Sequence, residues 1–151
     1  MNDIEIILGN REDLDKIVAL NQEIFKSLYQ TEPYSLQKYQ ERLSSQEPTI
    51  YLVKSQGSLI GNSIAFPREG DLYLWILGVH QDYRHQGVAT QLLILNEQEA
   101  EKSGYPKVVV KVYNVSKDML RLLLGRGYHI VGVETSAEDA KYNAINLEKI
   151  I

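Results

Sequence analysis

Residues 72–93 constrain the fold more than any other part of the chain, because an apolar strand, a short polar turn and a helix follow one another there. Residues 72–79 are apolar at nearly every position, which is typical of a central strand covered on both faces of a sheet. Strict alternation predicts one face made of Leu72, Leu74 and Ile76 and an opposite face made of Tyr73, Trp75, Leu77 and Val79. A buried strand that leads directly into a helix indicates an α/β sheet with helices packed on it.

The turn between this strand and this helix carries Arg84-His85-Gln86-Gly87-Val88-Ala89, which fits the pattern R-x-x-G-x-A. A helix N-terminus presents unpaired N–H groups and the positive end of the helix dipole, so it can hold a phosphate. Gly87 and Ala89 leave the backbone uncovered, and Arg84 adds a permanent charge with a forked set of donors. The turn therefore predicts a phosphate-bearing ligand, although many strand–turn–helix junctions of α/β proteins bind nothing. Neither G-x-x-x-x-G-K-[ST] nor G-x-G-x-x-G occurs in the sequence.

Gly78 interrupts the apolar strand near its end. A glycine inside a strand often marks a bulge or a close approach of another backbone. A bulge at Gly78 would separate the strand from its neighbour, and the backbone groups of Leu77 and Val79 would then be open to an extended, amide-containing arm. A phosphate site beside such a strand edge matches the shape of coenzyme A.

The remaining sequence predicts one domain over residues 1–151. Periodicity and turn residues predict strands at 4–8, 49–54, 58–66, 72–79, 107–113, 128–134 and 143–149, and helices at 14–28, 34–43, 88–102 and 116–124. This order indicates a mixed sheet with helices on both faces. The crossover from residue 72 to residue 113 should be parallel and right-handed, so the polar turn should lie at the carboxyl end of a central strand.

Composition limits the chemistry that the chain can perform. Cysteine is absent, and the three histidines show no metal-ligand spacing, so the expectation is no metal and no thiol nucleophile. A formal net charge of −4 argues against a nucleic-acid partner. The apolar runs are too short to span a bilayer and the first residues do not look like a leader, so we expect a cytoplasmic protein without a membrane partner.

The segment VHQDYRHQGVATQLL resembles motif A of the GNAT N-acetyltransferase superfamily, whose signature is [QR]-x-x-G-x-[GA] after a strand that ends in valine. Residues 10–14 resemble the start of the first helix of that family, residues 56–61 its hairpin between strands 2 and 3, and Gly127-Tyr128 the end of its fourth helix. The resemblance implies a GNAT-like α/β (α+β) fold with a mixed, mostly antiparallel central sheet of about seven strands. It also implies acetyl-CoA as the acyl donor and a small-molecule or protein amine as the acceptor.

The resemblance implies a set of cofactor contacts: Leu77, Val79, Arg84, His85, Gln86, Gly87, Val88, Ala89, Thr90, Asn114 and Ser116. The family pattern N-x-x-A-x-x-L-Y-x-x-x-G-[FY] places Ser116 at the asparagine position and Leu123 at the position of the tyrosine that protonates the departing thiolate. Leucine has no proton to give, so the usual acid is missing from its usual position. For Ser116 a plain helix N-cap is an equally good interpretation.

A general base is equally hard to assign. Tyr73 occupies the position where some family members carry a glutamate, and a phenol with an ordinary pKa near 10 is a poor base. Glu23, Glu32 and Asp71 are further candidates to reach an acceptor amine, but their spacing singles out none of them. Tyr73 and Glu23 remain weak catalytic candidates, and a surface carboxylate is the simpler interpretation of Glu23.

Two functions are therefore open. The first is an N-acetyltransferase that acts by direct attack of a primary amine on acetyl-CoA, and the second is a non-catalytic acyl-CoA-binding module that serves as a sensor or partner domain. The acceptor should depend on the first two helices and on the loops at 30–34 and 66–69. An acidic chain with tyrosines there suits a cationic amine, although surface acidity usually serves solubility. A homodimer is possible.

Overall fold

The computed structural model describes residues 3–26 and 33–151. Its strands are β1 Ile4–Leu8, β2 Thr49–Ser55, β3 Ser58–Arg68, β4 Asp71–Val79, β5 Lys107–Tyr113, β6 His129–Glu134 and β7 Ala144–Ile150. Its α-helices are α1 Leu14–Phe25, α2 Leu36–Leu43, α3 Val88–Ser103 and α4 Lys117–Gly125, with short 3₁₀ turns at Arg11–Asp13, Gln81–Tyr83 and Ala140–Tyr142.

The strands form one seven-stranded sheet in the order β1-β2-β3-β4-β5-β7-β6. β4 and β5 run parallel and are joined by the crossover helix α3, while the other neighbouring pairs are antiparallel. Helices α3 and α4 pack on one face of β4 through Leu72 and Leu74, and α1 and α2 pack on the other through Tyr73. The predicted mixed, mostly antiparallel sheet with helices on both faces is confirmed.

The element ends differ from the sequence prediction by a few residues. Helix α1 ends at Phe25 and not at Leu28, which lies outside the described residues. Helix α2 begins at Leu36 and not at Tyr34, because Ser35 caps it by accepting a hydrogen bond from the Lys38 N–H at 3.2 Å. Strand β3 continues past residue 66 to Arg68, since its pairing with β2 ends at Ala65 and Pro67 therefore needs no donor on that edge.

A bulge in β4 lies at Trp75, and the predicted bulge at Gly78 is wrong. Ile64 pairs with Ile76 and Ala65 with Leu74, so Trp75 is the extra residue, whereas Gly78 pairs regularly with Asn62. One extra residue reverses the alternation of side chains beyond it. Ile76 therefore packs in the cluster of α1 and α2, and Leu77 packs on the α3 side, which is the reverse of the prediction from strict alternation.

Gly78 serves the close approach of helix α1. A Cβ atom at this position would lie 3.0 Å from Cζ of Phe25 and 3.3 Å from Oδ1 of Asn21. Contacts this short would push the helix away from the sheet. The absence of a side chain at Gly78 thus leaves room for the side chains of α1 against the end of β4, whereas the sequence predicted the close approach of another backbone.

The sheet opens between β4 and β5. These two strands, both fully described, pair only through residues 72–74 and 108–110. Beyond that point β5 continues its pairing with β7 up to Tyr113, and β4 continues its pairing with β3 up to Val79. The separation begins at the Trp75 bulge and leaves a gap through the middle of the sheet.

Candidate functional site

A cleft of about 780 Å³ occupies the gap between β4 and β5 and reaches both faces of the sheet. On the α3 face its wall is formed by the start of that helix, from Gly87 to Thr90, and by Met119 and Leu122 of α4. On the opposite face its wall is formed by residues of α1, α2 and the first half of β4. The cleft therefore connects the predicted phosphate turn with a second chamber across the sheet.

The turn before α3 is shaped to present backbone amides. His85 has a φ of 62° and Gly87 a φ of 81°, and no side chain caps the helix. The first intrahelical bond at this end runs from the Gln91 N–H to the Gly87 carbonyl at 3.0 Å, so the N–H groups of Val88, Ala89 and Thr90 precede the regular ladder. Three amides at the positive end of the helix dipole are an arrangement suited to binding an anion.

Arg84 both stabilises this turn and gives it a positive charge. Its Nε donates a hydrogen bond to the Val79 carbonyl at 3.1 Å, which ties the turn to the end of β4. The side chain is exposed and lines the cleft. The Nη groups are not used by that bond, so the guanidinium can contribute to the turn's structure and to anion binding at once.

The edge of β4 that faces the gap presents the backbone groups of Leu77 and the N–H of Val79, whose carbonyl already accepts the bond from Arg84 Nε. The His80 N–H donates to the Ile60 carbonyl at 2.7 Å, which makes His80 and Ile60 a hydrogen-bonded antiparallel pair. Because such pairs alternate with non-bonded ones, Gly78 also bonds towards β3, and Leu77 and Val79 direct their N–H and C=O groups towards β5. An extended amide can pair with this edge as a strand would.

The structure brings most of the predicted cofactor residues together. Those that line the cleft are Leu77, Val79, Arg84, His85, Gly87, Val88, Ala89, Thr90 and Ser116, whereas Gln86 and Asn114 do not. Asn114 is bound elsewhere, because its Nδ2 donates to the Ala140 carbonyl at 3.2 Å and its Oδ1 accepts from Lys117 Nζ at 2.7 Å. Ser116 occupies the N-cap position of α4 without a side-chain cap hydrogen bond.

Of the catalytic candidates that the structure describes, Tyr73 lines the cleft, and Glu23 and Asp71 do not. Tyr73 is 5% exposed. Its burial raises the pKa of the phenol, although the positive charges of Arg68, Lys111 and Arg42 act to lower it. The Glu23 carboxylate lies outside the lining and 3.2 Å from Nε2 of His80. Asp71 begins β4 away from the lining, and Glu32 lies outside the described residues.

Leu123, at the position of the family's acid, is fully buried. It is 0% exposed and belongs to the core cluster shared by α3, α4 and the sheet, while also forming part of the cleft floor. The phenols that line the cleft belong to Tyr34, Tyr39, Tyr73, Tyr83, Tyr113 and Tyr142. The proton donors near the gap are therefore placed differently from the family pattern.

The chamber on the α1–α2 face carries residues that sequence reasoning missed. Its aromatic wall consists of Tyr34, Tyr39, Tyr73 and Trp75, with the Trp75 ring centroid 6.1 Å from that of Tyr34 and 5.0 Å from that of Tyr39. Arg42, Arg68 and Lys111 lie beside this wall. Lys111 could have been found from the sequence, because it alternates with the buried valines of β5, but the approach of Arg42 and Arg68 depends on long-range packing.

Within residues 3–26 and 33–151, no three histidine, aspartate or glutamate side chains are grouped so that they could hold a metal ion. Among the same residues, none of the helices is both long and apolar enough to cross a membrane.

Solved structures share this fold at low sequence identity. Ard1 from Thermoplasma volcanium superimposes with a TM-score of 0.82 at 15% identity, over 98% of this chain and 97% of that one. The ribosomal-protein-S18-alanine N-acetyltransferase from Escherichia coli gives a TM-score of 0.80 at 18% identity, over 98% and 94%. PaiA N-acetyltransferase from Thermoplasma acidophilum, solved in complex with coenzyme A, gives 0.77 at 17% identity, over 99% of each chain.

Sequence comparison assigns the family. No curated protein matches the chain significantly over its sequence. The model of the acetyltransferase (GNAT) family matches residues 14–128, which span α1 to the end of the turn after α4 and include the whole phosphate turn. The chain therefore belongs to the acetyltransferase (GNAT) family.

Proposed function

We propose that this protein is an N-acetyltransferase that moves an acetyl group from acetyl-CoA to a primary amine by direct attack. The observation that carries the proposal is the continuity of the cleft, which runs from the amides at the start of α3, along the open edge of β4, to a chamber across the sheet. The cleft thus places the proposed phosphate site, the open strand edge and a separate chamber in one line. This arrangement fits acetyl-CoA as a long acyl donor and an amine as the second substrate.

Each part of the cleft suits one part of acetyl-CoA. The amides of residues 88–90 and the guanidinium of Arg84 would hold the pyrophosphate. The open edge at Leu77 and Val79 would pair with the amides of the pantetheine arm. Acetyl-CoA supplies an activated thioester when it is bound, and this placement directs the thioester to the opening between the strands.

The proposed reaction needs orientation more than it needs a strong catalyst. The neutral amine attacks the thioester carbonyl, a C–N bond forms, the C–S bond breaks, the amine nitrogen loses a proton and the thiolate gains one. Holding both substrates in the opening supplies most of the rate advantage, and the gap-facing N–H groups of β4 can stabilise the oxyanion. A phenol is protonated at neutral pH, and burial raises the pKa of Tyr73 further, so Tyr73 is not available as the general base.

The experiment is an assay of thiol release from acetyl-CoA with a panel of primary amines, with the acetylated product identified by mass spectrometry. We expect release that depends on the amine and one acetyl group on the amine nitrogen. Tight binding of acetyl-CoA by calorimetry without release for any amine would support the non-catalytic acyl-CoA-binding module instead. The absence of both binding and release would overturn both proposals.

We also propose that two copies associate through the exposed edge of the sheet at β6. Ile130, Val131 and Val133 of this strand are 49%, 58% and 55% exposed, and β6 ends the strand order. An edge strand with exposed apolar side chains favours pairing with another strand. A second copy of β6 can pair with the backbone N–H and C=O groups of this edge in a symmetric, antiparallel arrangement.

A further inference from the structure

Two arginines stand over the aromatic wall of the chamber on the α1–α2 face. The Arg68 Cζ lies 3.7 Å from the centroid of the Tyr73 ring, and the Arg42 Cζ lies 5.3 Å from that of Trp75. Both arginines line the cleft. Both arginines are exposed, and the rings beneath the guanidinium groups favour defined positions for these cations.

Among the described residues, no carboxylate pairs directly with either arginine of this chamber, Arg42 or Arg68. Lys111 is neutralised by Glu134, whose carboxylate lies 3.1 Å from Lys111 Nζ. Hydrogen bonds from Asn146 and Lys111, together with the charges of Lys111 and Arg68, lower the Glu134 pKa. This single carboxylate therefore interacts electrostatically with both Lys111 and Arg68.

A guanidinium that stacks on a ring still has its N–H groups free at its edge. All five donors lie in the plane of the group, so the ring covers one face and does not block the fork. Carboxylates bind this fork through two parallel hydrogen bonds. The chamber therefore offers an apolar, aromatic surface with two edges that recognise a carboxylate.

We propose that the acceptor is a primary amine that carries a carboxylate, and that Arg68 and Arg42 hold this carboxylate beside the aromatic wall. This inference rests on the proposed transferase function and specifies its substrate class. The net charge of −4 favours a cationic amine instead, but that charge is spread over the whole surface. The local cations decide what enters the chamber, since surface charges beyond about 10 Å are screened at ordinary salt.

The test compares two probes that differ only in the carboxylate. N-acetylphenylalanine and N-acetylphenethylamine represent the acetylated products, and their binding to the full chain is measured by calorimetry in the presence of CoA. We expect the carboxylate to strengthen binding by about 10-fold or more, the ratio for one hydrogen-bonded charge pair. Equal affinity for the two probes would overturn the inference.

Variants then assign the discrimination to the arginines. Arg68→Gln and Arg42→Gln should each reduce the preference for N-acetylphenylalanine, and Arg68→Lys should restore only part of it because lysine lacks the fork. Lys38→Gln is the matched control, because Lys38 is an exposed cation one turn before Arg42 on α2 and outside the cleft lining. A loss of preference in Lys38→Gln equal to that in the arginine variants would contradict the assignment.

Turnover separates this inference from the function on which it rests. Phenylalanine is compared with phenethylamine, and the peptide amide Ala-Asp-Phe with Ala-Asn-Phe, so that the two pairs distinguish an α-carboxylate from a side-chain carboxylate. Acetylation of all four compounds at equal efficiency would support the transferase function and contradict the proposed preference for a carboxylate. Preferential binding of N-acetylphenylalanine without acetylation of any amine would instead remove the transferase and leave the preference standing.

Discussion

Gly87 shows what a single position contributes to the phosphate turn. Its φ of 81° is a left-handed conformation that side chains rarely adopt, and a Cβ there would meet no other atom within 4 Å. The glycine is therefore required by the backbone conformation and leaves open space in front of the amides of α3. No described residue lies within 4 Å of that position, which is where an anion would approach.

Gly87→Glu should abolish CoA binding while the fold survives. The new side chain would place a negative charge in front of the amides, where it would repel the pyrophosphate. Gly57→Glu is the matched control, because Gly57 has the same φ of 81° and equally open surroundings in the β2–β3 turn. Calorimetry with CoA and a melting curve on both variants check this, and unchanged affinity in Gly87→Glu would remove the phosphate assignment.

Arg84→Ala should weaken CoA by about 1.5–3 kcal/mol through the loss of a charge-assisted hydrogen bond. The difference should shrink as salt rises, because screening reduces the wild-type advantage. Arg84→Lys keeps the positive charge but loses the Nε bond to the Val79 carbonyl. It therefore separates the attraction of the phosphates from the stabilisation of the turn. Calorimetry over a salt series is the measurement, and destabilisation with unchanged affinity would assign Arg84 to structure alone.

Helix α4 shows how an element departs from its family pattern. Its buried side presents Leu123 to the core that α3 shares with the sheet, and that residue is 0% exposed. The next residue, Leu124, is 45% exposed. The helix therefore uses the family's acid position for packing.

Leu123→Tyr should destabilise the protein by about 1–3 kcal/mol, because a phenol overfills a closely packed site. Leu124→Tyr makes the same chemical change at the neighbouring exposed position and should alter stability little. Melting curves and steady-state rates on both variants check this. A faster turnover by Leu123→Tyr at unchanged stability would show instead that a phenol at this position reaches the departing thiolate.

A charged network joins α3, the turn after α4 and β7. The Tyr128 hydroxyl donates to Glu97 Oε2 at 2.9 Å, and Lys149 Nζ lies 3.1 Å from Glu97 Oε1. Tyr128 is 1% exposed, and burial together with the Glu97 charge and hydrogen bond holds its pKa far above the ordinary value of 10.0. The three elements are thus tied together by a phenol that must stay protonated.

The free energy of unfolding should fall as the pH rises above about 10, by up to ~1.4 kcal/mol per pH unit for this phenol. The sign follows from the raised pKa, because the unfolded chain releases the Tyr128 proton at a lower pH than the folded one does. Tyr128→Phe should reduce this slope, at a loss of about 1–3 kcal/mol at neutral pH from the missing hydrogen bond. Urea unfolding from pH 8 to pH 11 tests it, and an identical slope in the variant would contradict the assignment.

At the scale of the whole molecule, the open edge at β6 predicts a dimer. Val131→Lys should shift the protein towards the monomer, because a charge on an edge strand opposes pairing with a second strand. Ser45→Lys, at an exposed position outside the strands, adds the same positive charge and controls for the change of net charge. Light scattering coupled to gel filtration measures the mass, and a monomeric wild type at all concentrations would exclude the dimer.

The sequence by itself determined the order of the elements and the local features of the turn that we propose as the phosphate site. These depend on neighbours along the chain: the apolar run of β4, the left-handed glycine at 87 and the arginine three residues before it. Strands 4–8 and 107–113 agree with the structure to the residue for the same reason. The resemblance to one family rested on the same local residues.

Only the tertiary structure decided where the sheet opens and what surrounds the opening. The bulge lies at Trp75 because β3 pairs across it in a shifted register, and no pattern within β4 records the register of a partner strand. Arg42 from α2 and Arg68 from the end of β3 meet Trp75 and Tyr73 of β4 through packing between distant segments. Composition therefore suggested a cationic acceptor, while the assembled chamber favours a carboxylate, because local fields depend on which charges the fold brings together.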